Sequence, residues 1–194
     1  PINDEPFFTL TTTSLESDED DGLVTENNLI ATKGVGPAAA TAEIADQTAT
    51  FRFGNVQLNS GNLAFDSINI SAAGVLTYEA AANTSGEATI DIWLEDDGPT
   101  ASHPDDDNTS PAQTITIKVN PQPDNPVPVT DPYVIDEGQS LPLDASQSYD
   151  PDIGVPDADA DALTYRWGLD DDGVDEINTS DAMFTVAWTF LDSL

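Results

Sequence analysis

The sequence predicts an all-β chain made of two antiparallel β-sandwiches in tandem, the second incomplete. Three observations carry this expectation. Apolar and polar residues alternate in several segments, most clearly in Ala88–Leu94 and Thr114–Val119. Gly, Pro, Asn and Asp clusters separate those segments at short intervals, without helical periodicity. An acidic, Pro-closed linker, Asn3-Asp4-Glu5-Pro6, recurs as Pro123-Asp124-Asn125-Pro126. Alternation with period two gives a strand one buried and one solvated face, the pattern of an antiparallel sandwich. The repeated linker divides the chain into a linker at 1–6, a first sandwich at 7–120, a second linker at 121–130 and a second sandwich at 131–194.

Taken in order, Phe7–Thr13 is β-branched and aromatic and reads as the first strand. Ser14–Gly22 reads as a charged turn and Leu23–Ala31 as a second strand. Gly34–Gln47 is Ala-rich, but its Pro and Gly residues limit it to a short helical turn. Thr48–Phe53, Leu63–Ile70 and Val75–Tyr78 alternate again. In Ala88–Leu94 the residues Ala88, Ile90, Ile92 and Leu94 share one face. In Thr114–Val119 Ile115, Ile117 and Val119 do the same. Beyond the second linker, Tyr133–Ile135 and Ser140–Leu143 read as short strands around Asp136-Glu137-Gly138. Leu163, Tyr165, Trp167 and Leu169 alternate, and so do Phe184, Val186, Trp188 and Phe190. Trp167 and Trp188 are expected in the core, and Trp93, on the opposite face from Ile92 and Leu94, against a neighbouring domain. The second sandwich is expected to lack its closing strands, supplied by continuation of a longer parent chain or by strand addition from another molecule.

Charge narrows the function classes. Across 194 residues, 37 Asp and Glu stand against 4 Lys and Arg, a net charge of −33. Such a surface repels nucleic acid and anionic membranes. The hydrophobic fraction of 38% and the alternating runs argue against disorder of the whole chain. Halophily would spread the acids evenly, whereas here they cluster at Asp18–Asp21, Glu95–Asp97, Asp105–Asp107, Asp150–Asp161 and Asp170–Glu176. Cation binding and solvated acidic loops both fit such clusters. There is no Cys, which removes disulfides, zinc-thiolate sites and thiol catalysis, and the single His103 leaves little for acid–base chemistry. No apolar run approaches the ~20 residues of a membrane span. No P-loop, nucleophile elbow or metalloprotease motif is present. The expectation is a non-enzymatic protein.

Gly74-Val75-Leu76-Thr77-Tyr78, Ala82-Asn83-Thr84-Ser85-Gly86-Glu87-Ala88-Thr89, Asp96-Asp97-Gly98 and Thr114–Val119, with the Asp-Asn-Pro linker, resemble the repeat core of bacterial cadherin-like domains. The resemblance covers most of residues 7–126. Glu137-Gly138, Leu143-Asp144-Ala145-Ser146, Ser148-Tyr149-Asp150-Pro151-Asp152, Leu163–Trp167 and Asp170-Asp171-Asp172-Gly173 resemble a PKD domain, an immunoglobulin-like sandwich, with a longer and more acidic insert at Ile153–Ala160. Together these resemblances imply spacer or adhesion modules of a secreted or surface protein.

The cadherin-like resemblance further implies Ca²⁺ between successive domains, with Glu16, Asp96, Asp97, Asp124 and Asn125 at the matching positions. Ca²⁺ takes six to eight hard oxygens, which loops at a domain seam can supply from two sides. In the second part, Asp157, Asp159 and Asp161, then Asp170, Asp172 and Asp175, have the alternate spacing that can converge oxygens on one ion. Asp150 and Asp152 can join them. Asp residues capping turns are the other reading of the same pattern. The expected function is a Ca²⁺-stiffened spacer or adhesion segment of a bacterial extracellular protein, touching neighbouring repeats or other surface proteins. The alternatives are a polysaccharide-facing accessory module of a secreted hydrolase, for which Trp93 would be a stacking residue, and a fibre subunit that self-associates by strand exchange.

Overall fold

A computed structural model describes residues 3–99, 107–151, 162–170 and 173–193, with the side chain of Glu43 outside the description. The chain divides into two compact units, Pro1–Gln122 and Pro123–Leu194. The fold is all-β.

In the first unit the strands are β1 (Phe7–Leu10), β2 (Ser14–Asp18), β3 (Leu23–Glu26), β4 (Ile30–Gly34), β5 (Ala49–Gly61), β6 (Phe65–Ile70), β7 (Leu76–Ala80), β8 (Gly86–Asp96) and β9 (Gln113–Asn120). A single 3-10 turn, Glu19–Asp21, follows β2, and the helix α1 covers Thr41–Asp46. A four-stranded sheet in the order β2-β9-β8-β5 and a three-stranded sheet in the order β3-β7-β6 enclose the core, with the β1-β4 pair beside them. Alternation decides what faces inward. Ala88, Ile90, Ile92 and Leu94 of β8 and Ile115, Ile117 and Val119 of β9 are buried, and they meet Leu76 and Tyr78 of β7, Phe8 of β1 and Phe51 of β5. Phe8 and Phe51 contact edge to face, ring centroids 5.4 Å apart. Each of the Ile, Leu, Val and Phe side chains among them contributes roughly 1.5–3 kcal/mol on burial.

Where the chain crosses from β7 in one sheet to β8 in the other, the start of β8 closes against the end of β5 through the paired glycines Gly61 and Gly86. A Cβ on Gly61 would lie 2.2 Å from the Ser85 carbonyl oxygen, and one on Gly86 would lie 2.1 Å from that of Ser60. Both have positive φ, +73° and +130°, where L side chains are strained.

Several expectations are corrected in the first unit. Ser14–Asp18 is a strand, not a turn, because Leu15 and Ser17 alternate inward while the polar residues between them face out. It pairs with β9 in parallel register, Ser14 with Thr116 through Asp18 with Asn120, so the sheet is mixed. Leu23–Ala31 is split by a turn into β3 and β4, since Asn27 and Asn28 favour a reversal. β5 runs on to Gly61, well past Phe53, with register shifts between Gly54 and Gln57 and between Leu58 and Ser60.

The second unit holds β10 (Leu141–Asp144), β11 (Tyr165–Trp167), β12 (Ile177–Thr179), β13 (Met183–Val186) and a one-turn helix α2 (Trp188–Leu191). Its described sheets are antiparallel pairs, β10 with β13 and β11 with β12. Tyr133–Ile135 is irregular; Tyr133 instead sends its hydroxyl to the backbone of Asp144, accepting that N–H at 2.6 Å and donating to that carbonyl at 2.8 Å. The alternation through Phe184 and Phe190 breaks after Val186, where the chain turns into α2. Trp188 is therefore half-buried on a helix, and Trp167 is half-buried on β11. No helix among the described residues is long and apolar enough to cross a membrane.

Candidate metal centre

The inward face of β8 does not stop at Leu94. Asp96 occupies the next inward position and is only 6% exposed, so a carboxylate ends an otherwise apolar row. Asn3, 1% exposed, reaches it from the N-terminal segment. The Asn3 amide donates from Nδ2 to Asp96 Oδ1 at 3.3 Å and to the Asp107 carbonyl at 3.0 Å, while Asn3 Oδ1 accepts from Gln47 Nε2 at 2.8 Å. Asp107 returns a backbone N–H to the Asn3 carbonyl at 3.1 Å. The Gly98 N–H donates to Asp96 Oδ1 at 2.8 Å. Gly98 has to be small, because a Cβ there would lie 2.1 Å from Asn3 Oδ1.

Two oxygens of this network are buried without a hydrogen-bond donor among the described residues, Asp96 Oδ2 and Gln47 Oε1. A buried carboxylate oxygen without a partner is costly, and a cation is one partner that satisfies it. Carboxylate and amide oxygens are the hard donors that Ca²⁺ takes. The pair therefore fits a hard cation in donor type, with backbone carbonyls and water left to complete the shell. Among the described residues no group of three or more Asp, Glu or His side chains converges as a ready-made cage.

The other predicted ligands fall elsewhere. Asp97 is exposed and spends both oxygens on Thr48, Oδ1 on its N–H and Oδ2 on its hydroxyl, each at 2.8 Å. Those bonds, the backbone one first, hold its carboxyl below the ordinary range. Glu16 on β2 pairs with Lys118 at 3.0 Å, and that hydrogen bond lowers its pKa. Glu16 and Asp96 lie toward opposite ends of the same sheet. Glu16 stands opposite Lys118, which stands opposite Glu87, nine positions before Asp96 on β8, about 30 Å at strand spacing. One ion cannot take both, so the grouping expected from the resemblance separates into two poles. At the Glu16 pole Asp18 accepts from Asn120 Nδ2 at 3.2 Å, and buried Glu19 accepts the Gln122 N–H at 2.8 Å.

In the second unit Asp124 is half-buried, Asp150 is 8% exposed, and Asn125, Asp170 and Asp175 are exposed. Asp152, Asp157, Asp159, Asp161 and Asp172 lie outside the described residues, as does His103. Trp93 lies over Gly54 of β5 and donates from Nε1 to Glu95 Oε1 at 3.0 Å. Glu95 also takes Arg52 Nε at 2.9 Å, and the Arg52 bond is the main reason its carboxyl is held low.

Sequence reasoning missed Asn3, Gln47 and Glu19. Asn3 and Glu19 carried a usable signal: continuing the period-two count past Leu94 buries Asp96, which demands a partner, and continuing it past Leu15 and Ser17 buries Glu19. Gln47 carried none, since α1 delivers it from an Ala-rich segment.

No protein-family model and no curated protein matches the chain. Among solved structures, that of the Yersinia pseudotuberculosis adhesin InvE is similar at 19% identity over 71% of this chain, with a TM-score of 0.26. The chain spans 32% of that structure's chain.

Proposed function

We propose that this chain is a non-catalytic spacer or adhesion segment of a bacterial extracellular or cell-surface protein, made of a cadherin-like module and a PKD-like module, and that Ca²⁺ stiffens the first module at its Asn3 end. The observation that carries this reading is the pair of buried oxygens without a donor among the described residues, Asp96 Oδ2 and Gln47 Oε1, joined through Asn3. Asp96 and Gln47 hold the ion. Asn3 orients both by fixing the other atom of each side chain, and Gly98 lets Asn3 approach. The ion supplies positive charge beside a buried carboxylate oxygen that has no donor among the described residues. Its mechanical effect is to fasten the N-terminal segment to the ends of β5 and β8, so that force entering at Asn3 is passed to the sheet.

The test is a Ca²⁺ titration followed by thermal unfolding, with Mg²⁺ and NaCl as controls. Binding to the folded state alone stabilises by ~2.7 kcal/mol at a hundredfold excess over Kd. Asp96→Asn should abolish the Ca²⁺-specific rise in Tm while leaving the melting of the chelated protein near that of the parent. Equal shifts with Ca²⁺ and with NaCl at matched ionic strength would reduce the effect to charge screening and defeat the proposal.

A further inference from the structure

The second unit has little interior of its own. Its buried apolar side chains among the described residues are Leu143, Ala145 and Val186, while Val134, Val174, Met183, Phe184 and Phe190 are exposed. Each of its described sheets has two strands, and β11 pairs only with β12 among the described residues. Beside β11 lies a groove of about 420 Å³. One wall is the segment 126–130, with Val127 and Pro128, and the other is 163–168, with Leu163, Tyr165 and Trp167. Trp167 stacks edge to face on Tyr133 at 6.3 Å, and its indole N–H is buried without an acceptor among the described residues. The Trp167 carbonyl accepts the Glu176 N–H at 3.0 Å, which turns it toward β12. Backbone groups of successive strand residues face opposite ways, so Arg166 presents its N–H and C=O to the edge that no other described strand pairs.

We infer that this groove is a strand acceptor, whose occupant is an extended segment of a different polypeptide with apolar inward positions and cationic flanks. The segment pairs with the backbone of Arg166, covers Val127, Leu163 and Tyr165, and brings a carbonyl oxygen to the Trp167 indole. An open strand edge beside an uncovered apolar face is the surface that β-addition uses. Charge selects the occupant. From Pro123 onward Arg166 is the only basic residue, among carboxylates that include Asp124, Asp131, Asp144, Asp150 and Asp170. A second copy of a chain carrying −33 is repelled, and a cationic strand is attracted. This inference concerns the second unit and stands independently of Ca²⁺ at the first.

The test uses the full chain and synthetic eight-residue peptides of alternating Val and Thr, flanked by Lys, flanked by Glu, or scrambled with Lys flanks, followed by calorimetry and sizing. The Lys-flanked alternating peptide should bind saturably, at least tenfold tighter than the other two. Trp167→Phe, which keeps the ring and removes the N–H, should weaken binding about fivefold. Arg166→Pro, which removes the edge donor, should abolish it, with circular dichroism confirming that both variants remain folded. The inference is overturned by no saturable binding at millimolar peptide, by equal affinity for the three peptides, by unchanged binding in both variants, or by dimerisation of the chain that the peptide does not compete.

Discussion

Asn3 and Asp96, 93 positions apart, meet inside the first unit, where the Asn3 amide donates to the Asp96 carboxylate at 3.3 Å. This contact ties the first described residue to the last residue of the longest buried row, and it makes the N-terminal segment part of the sandwich. Asn3→Ala removes the donor to Asp96 and to the Asp107 carbonyl and the acceptor of Gln47 in one step. Leaving buried polar groups unpaired costs about 1–3 kcal/mol. Urea denaturation in chelator should show a loss of that size with an unchanged slope, whereas Glu5→Ala, two positions on and exposed, should fall within ~0.5 kcal/mol of the parent.

Tyr78 offers the opposite test. Its ring is fully buried beside Phe65, centroids 6.1 Å apart, and its hydroxyl has no hydrogen-bond partner among the described residues. Burial pushes its pKa above the usual 10.0, an effect that the nearby Ser17 hydroxyl eases without meeting hydrogen-bond geometry. Tyr78→Phe should therefore be neutral or stabilising by up to ~1 kcal/mol, because both states lose a group that only the unfolded state could solvate. A phenol held protonated in the fold and released in the unfolded chain lends stability that is complete below pH 10 and lost as pH rises past it. The variant should thus resist alkaline unfolding better than the parent, measured as Tm between pH 9 and 11.

How much of this was legible depends on which interaction decided each part. β8 and β9 were readable because their inward residues, from Ala88 to Leu94 and from Ile115 to Val119, are all apolar and the period speaks for itself. β2 was hidden because Glu16, Asp18 and the acids after them look like a loop, and only parallel pairing to β9, a contact across the whole unit, makes them a strand. The alternation through Trp188 and Phe190 misled because four apolar residues at every second position also fit a strand end followed by a turn of helix, and side-chain spacing alone does not separate the two. For the site, the period-two count past Leu94 marks Asp96 as the buried acid, but its contacts with Asn3, 93 positions away, and through Asn3 with Gln47 come from tertiary packing that no local pattern carries. Asp96 and Asp97 are neighbours in sequence, yet one faces the core and the other faces Thr48.

Truncating the row just before Asp96 should show where the energy of the first unit lies. Leu94 is fully buried, and Leu23 of β3 in the same unit is 58% exposed. Leu94→Ala should cost about 2–5 kcal/mol, and Leu23→Thr, on the exposed side of β3, should change stability by less than ~0.5 kcal/mol. Guanidinium denaturation followed by Trp93 fluorescence reads the first unit in both variants, with Trp167→Phe and Trp188→Phe as a background that leaves Trp93 alone.

Acid should act on this chain in two opposing ways, and salt separates them. Glu16, Asp91, Glu95 and Asp97 are each held below their ordinary values, 4.5 for Glu and 3.8 for Asp, chiefly by hydrogen bonds from Lys118, Thr114, Arg52 and Thr48 respectively. A carboxylate with a depressed pKa in the fold contributes stability that is present above its unfolded value and is lost as pH falls through the folded one. These contributions should be intact at pH 6, begin to fade near 4.5, and continue to fall below 3.8. Over the same range protonation relieves the repulsion of a net −33, which favours the compact state. At about 1 M NaCl the Debye length is ~3 Å, so the long-range repulsion is screened while the contact hydrogen bonds remain. Tm measured from pH 6 to 3 should therefore fall more steeply in high salt than in low salt. Asp97→Asn, which ends the titration at Thr48, should flatten the high-salt slope below pH 4.5. A slope unchanged by that substitution would show that the Thr48 bonds do not couple to folding.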